Sequence, residues 1–178
     1  MAGGTLHDAF LDELRDAYDA ESPELRMAFE KHLEETRGHV DRLERVFESL
    51  DEKVRGKRCD GIAGIIEEGK SVMEEDFDEG TMDACLIAGG QRAEHYEMAA
   101  YGTLVAWARV MGHVEAADLL QQTLGEERAA DKKLSQLAEG GINQEAGDAV
   151  EGEEEDQTPA RARRRAASAS DASRRSRR

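Results

Sequence analysis

Between Phe29 and Leu50 the residues Phe29, Leu33, Thr36, Val40, Leu43, Phe47 and Leu50 follow one another at alternating steps of four and three. That spacing puts them on one stripe of an α-helix, the seam along which bundled helices pack. The front of the stripe carries its own start signals. Ser22 is a good N-cap, Pro23 fits the first helical position, and Glu24 suits the positive end of the helix dipole. Composition points the same way, because two prolines and 4% aromatic residues, set against abundant Ala, Glu, Leu and Arg, disfavour a sandwich or barrel and favour helices.

The same reasoning predicts a helix from Leu6 to Glu21, with Leu11, Leu14 and Tyr18 on one line beside Phe10. Residues 51–58 are polar and end the seam. Ile62, Ile65, Ile66, Gly69, Val72 and Met73 then predict a short crossover helix reaching Glu75, with a loop over 76–80. A third long helix is predicted from Met82 to Met111 and a fourth from Val114 to Ala138, separated by Gly112 and His113, with Gly140-Gly141 as the stop. The expectation is an all-α four-helix bundle with one long connection, occupying residues 1–142. The remaining 143–178 form an acidic block, Glu151 to Asp156, followed by an Ala/Ser/Arg segment without apolar periodicity, and this tail is expected to be disordered.

Charge separates the two parts. From Arg161 to Arg178 eight arginines face the single acid Asp171, so the tail carries +7 and the rest of a chain of net charge −16 carries −23. Such a body repels nucleic acid, and only the tail could bind it weakly. No apolar run approaches the roughly 18 residues of a membrane span, and the N-terminus lacks the layout of a signal peptide, so a cytoplasmic protein without membrane contact is expected. Cys59 and Cys85 form no CxxC pair and, with Trp107 and the methionines, are expected to be packing residues.

Chemistry enters where acids interrupt the seams. The third helix reads Ile87, Gly90, Glu94, Glu97, Tyr101, Leu104, Ala108, Met111, and the fourth reads Ala117, Leu120, Leu124, Glu127, Asp131, Leu134, Ala138. Both lines place two acids where the pattern faces the core. Burying an unpaired carboxylate costs several kcal/mol or forces protonation, so a facing cluster asks for a cation. Oxygen-rich clusters with a few imidazoles inside a four-helix bundle are the setting of di-iron and di-manganese sites. His32, Glu35 and His39 lie along one edge of the second predicted helix and can reach inward, whereas His95 is turned about 100° from Glu94 and belongs outside. Glu21 lies on the line of Leu14 and Tyr18. An arrangement of acids without metal, in a purely structural helical protein, is the competing reading.

Four stretches, FLDELRDAYDAE from Phe10, SPELRMAFEKHLEETRGHVDRLERVFE from Ser22, AEHYEMAAYGTL from Ala93 and LGEERAADKKL from Leu124, resemble the YciE/YciF family of the ferritin-like superfamily. The resemblance spans about residues 5 to 140. It implies a ferritin-like bundle, a homodimer, a link to stress responses and a dinuclear iron or manganese centre with possible Fe(II) oxidation. By that resemblance the metal ligands fall on Glu21, Glu35 with His32 or His39, Glu94, Glu97, Glu127 and Asp131. The Glu-x-x-His pairs of ferritins are absent, because Glu97 follows Glu94 and Ala130 follows Glu127. The first helix is also several turns shorter than in relatives, which separates Glu21 from Glu35 by roughly 18 Å in a simple hairpin and leaves only His7 and Asp8 opposite Glu35.

Overall fold

The computed structural model describes residues 20–149, and these form an all-α bundle. Helix α1 spans Pro23–Ser49, α2 Asp60–Met73, α3 Glu79–Met111 and α4 Val114–Leu137. A π-helical turn, Ala138–Ile142, follows α4. The predicted N-terminal helix, with His7 and Asp8, lies outside the described residues apart from its last two positions, and these are not helical.

The expected start of α1 is present. The Ser22 hydroxyl accepts from the Leu25 N–H at 3.3 Å, and Pro23 opens the helix. A second fastening comes from α3, where buried Asp83 accepts the Glu21 N–H at 3.0 Å and the Ser22 N–H at 2.8 Å through its two carboxylate oxygens. Helix α3 begins three residues before the expected Met82, because Asp78 caps it by accepting the Thr81 N–H. It ends as predicted at Gly112, whose φ of 78° reverses the chain into α4.

Two apolar clusters fill the bundle. The lower one gathers Leu25, Phe29, Leu33, Ile62, Ile66, Leu86, Ile87 and Leu134. The upper one gathers Val46, Tyr101, Val105, Ala108, Ala117, Leu120 and Leu124. Along α1 the expected seam holds through Thr36, after which His39 and Val46 are buried while Val40, Leu43, Phe47 and Leu50 are half-buried. The inward face has turned toward α4, which engages His39 and Arg42 through Glu126.

Two expectations are corrected here, the glycine stop and the packing of Trp107, while Cys59 packs against the lower cluster as expected. Gly140-Gly141 does not stop the chain: Gly141 takes a φ of 152°, Ile142 is buried in the lower cluster, and residues 143–149 are helical. Burial of one isoleucine overrides the local break, so the expected boundary at 142 falls inside a helix. Residues 150–178, with the acidic block and the arginines, lie outside the described residues. Cys59 and Cys85 are half-buried free thiols, and Cys59 Sγ lies 2.8 Å from the Tyr96 hydroxyl. Trp107 is 60% exposed instead of packed, with Val110, Met111 and Val114 exposed beside it.

Candidate metal centre

Between the two apolar clusters lies a polar layer of His32, Thr36 and His39 from α1, Glu94 and Glu97 from α3, and Thr123 and Glu127 from α4, all buried. The seams explain how these side chains reach one level. Antiparallel pairing through Gly112 sets Glu97 and Glu127 at matching distances from the turn, and α1 supplies histidines one heptad apart on its inward edge.

Glu127 is the centre of the layer and is 0% exposed. Its Oε1 lies 3.1 Å from His39 Nδ1, and its Oε2 lies 3.6 Å from His32 Nε2. His32 Nε2 is also 3.0 Å from Glu94 Oε1. His32, Glu94 and Glu127 each offer one ligand atom within 4.8 Å of the others, the group among the described residues that could hold a metal ion. Both oxygens of Glu127 and Oε2 of Glu94 are shielded from solvent and have no partner with hydrogen-bond geometry among the described residues. Buried carboxylate oxygens beside two imidazoles have the donor chemistry to accept either a cation or the histidine protons.

Electrostatics follow from burial. Desolvation drives the Glu94 carboxyl up to about 7, against the opposing pull of His32 and with the help of Glu127. Desolvation would lower His32, but Glu94, Glu127 and Glu35 outweigh it and raise the imidazole. Both shifts favour the protonated forms, and the two groups titrate as a coupled pair. Desolvation also opposes ionisation of Glu127, yet His39 and His32 outweigh it and keep that carboxyl below its ordinary value. Burial, aided by the nearby charges of Glu97 and Glu127, pushes the Tyr101 phenol up.

A buttress stands behind the layer. His39 Nε2 lies 2.7 Å from Glu126 Oε2, and Arg42 grips both Glu126 oxygens at 2.8 and 3.0 Å while also donating to Thr123 Oγ1 at 2.8 Å. This fixes the His39 ring with Nδ1 toward Glu127. Glu126 and Arg42 escape a reading of the sequence, although Arg42 continues the three-four-three spacing of His32, Glu35 and His39.

The remaining predicted ligands are distributed unevenly. Glu97 lies in the layer. Glu35 sits at its edge, 3.6 Å from His32 Nδ1 and held at 2.6 Å by the Lys31 ammonium. Asp131, a half-buried residue one turn beyond Glu127, lies at the rim, where it accepts from Gln91 at 3.0 Å and lies 3.1 Å from exposed His95 Nε2. Glu21 is exposed at the foot of the bundle, where its N–H donates to Asp83.

Comparison with known proteins agrees with this architecture. Residues 5–147 match the family described as a domain of unknown function, DUF892. Protein YciF of Escherichia coli K12 is 39% identical over 158 residues, covering 80% of this chain and 95% of YciF. The crystal structure of the E. coli stress protein YciF superposes with a TM-score of 0.71 at 39% identity, over 77% of this chain and 89% of that one. YcfI of Rhodopseudomonas palustris, provisionally described as a structural protein, superposes with a TM-score of 0.67 at 35% identity over 74% and 86%. With the helix order, the polar layer and these matches in agreement, the chain belongs to the DUF892 family and is of the YciF type.

Proposed function

We propose that this protein is a stress-associated metal-binding bundle that holds iron or manganese on His32, Glu94 and Glu127. The observation that carries the proposal is the fully buried Glu127 carboxylate, whose oxygens sit beside two histidines and a second buried acid without hydrogen-bond geometry to any described group. Carboxylate and imidazole donors suit these metals. A second ion of a dinuclear centre would have to be held by Glu127, His39 and Glu97, the remaining acids and imidazole of the layer. Iron held there supplies one-electron reducing power toward dioxygen or peroxide. The chain's own residues do the rest: Arg42 and Glu126 orient His39, and protons held by His32 and Glu94 leave as the cation arrives. Two free thiols fit work in the reducing cytoplasm.

A structural role without metal is the second reading. It is favoured by the pairing within the layer, where His32, His39 and Arg42 face Glu94, Glu126 and Glu127, and by the description given to the R. palustris relative. Dialysis against Fe(II) or Mn(II) followed by elemental analysis separates the two. One or two tightly held ions per chain, lost in Glu127→Leu, are expected; a wild-type chain that retains none would establish the structural reading.

A further inference from the structure

The polar layer is approached by two cavities of opposite character. One, of about 50 Å³, lies between α2 and α3 and is walled by Phe29, Ile65, Val72, Met73 and Leu86. The exposed members of its lining, Glu68 and Arg92, whose charged ends are 3.7 Å apart, mark its outer end. Buried His32 and Glu94 mark its inner end, and Oε2 of Glu94 there is a solvent-shielded acceptor without a hydrogen-bond partner among the described residues. The other, of about 410 Å³, reaches the same two residues from between α1 and α4, past Glu24, Lys31, Glu35 and Lys133.

Glycines leave the first cavity open, and they are not equivalent. A Cβ on Gly90 would come within 3.2 Å of Leu134 and 3.3 Å of Phe29, so close packing accounts for that residue. A Cβ on Gly89 would meet nothing within 4 Å. Glycine inside a helix costs about 1 kcal/mol relative to alanine, and no neighbour of Gly89 requires it. Gly89 lines the same cavity as Glu94, and a side chain there would take up part of its space.

Size and polarity select the occupant. An apolar cavity of about 150 Å³ takes benzene and stays dry. Roughly a third of that volume excludes an organic substrate and admits a diatomic molecule. A bare cation crossing those apolar walls would lose its hydration without replacement, whereas the wider cleft offers carboxylates on the way in. We propose that the α2–α3 cavity conducts dioxygen to the His32–Glu94–Glu127 cluster while the cation arrives through the α1–α4 cleft. This rests on the metal-binding reading above.

The full chain tests it in two steps. Metal-free crystals pressurised with xenon are expected to show the gas between Gly89 and Glu94 in the wild type, none in Gly89→Leu and reduced occupancy in Gly89→Ala. With Fe(II) bound, Gly89→Leu is expected to keep the wild-type metal stoichiometry and to consume dioxygen at least tenfold more slowly, with Gly89→Ala intermediate. Should Gly89→Leu fail to fold, the graded effect of Gly89→Ala on xenon occupancy and on rate decides alone. Absence of xenon from the wild type would overturn the proposal, and so would unchanged dioxygen consumption in variants whose cavity is filled, because the gas would then enter by the cleft. Failure of every variant and the wild type to bind metal would instead remove the reading beneath it, while the xenon result still reports on the cavity.

Discussion

Raising the pH should weaken the metal-free protein, and the reason lies in one carboxyl group. Glu94 is buried, and its pKa is raised from 4.5 to about 7. A group raised in the folded state contributes stability that is complete below its unfolded pKa and is lost as pH rises through the folded one. Between pH 5.5 and 8 the unfolded chain already has this side chain ionised, while the folded chain must give up its proton. The loss is about 2 kcal/mol over that window at 1.36 kcal/mol per unit. His32, also raised, acts in the same direction. The lowered Glu127 matters only below the ordinary carboxylate range, outside the window. Urea denaturation of the chelated protein at the two pH values measures the difference, and Glu94→Gln should flatten it. Added Mn(II) should cancel the trend: the cation needs the ionised form, so its apparent affinity is about thirtyfold weaker at pH 5.5, and at a hundred times its pH 8 Kd it adds about 2.7 kcal/mol at pH 8 but only about 0.9 kcal/mol at pH 5.5. Metal-free stability that is equal at both values, or a pH slope unchanged in Glu94→Gln, would refute the argument.

Two further outcomes follow from packing. Ile142→Ala should destabilise the bundle by about 2–4 kcal/mol, since that side chain is 6% exposed and belongs to the lower cluster; chemical denaturation checks it, and a change under about 0.5 kcal/mol, the range of a surface substitution, would mean the turn does not dock. Self-association is expected through the end of α3, where Leu104, Trp107, Val110, Met111 and Val114 are exposed along the longest stretch of sequence without an acid, Met98 to Val114, the place where two strongly acidic copies repel least. Sedimentation should show a dimer for the wild type and a folded monomer for Trp107→Glu; a wild-type monomer at micromolar concentration would exclude it.

Read alone, the amino-acid sequence determined the helices wherever the signal was local: the Ser22-Pro23 start and the Gly112 reversal arise from side chains and dihedral preferences within a few residues. It also pointed Glu94, Glu97 and Glu127 inward, because each lies on a helix line whose neighbouring turns are apolar and pack into the core. Tertiary structure decided what periodicity cannot carry. Which acids meet depends on how two helices are set against each other, and one turn is enough to send Asp131 to the rim while Glu127 occupies the centre. Glu126 and Arg42 became the buttress of His39 only through a contact between helices distant in sequence. Trp107 shows the same limit from the other side: its helix is written in the local sequence, but its exposure depends on whether a neighbour covers that face. Ile142 carries the chain past two glycines because burial in a core assembled from other helices outweighs a local preference of about 1 kcal/mol per glycine.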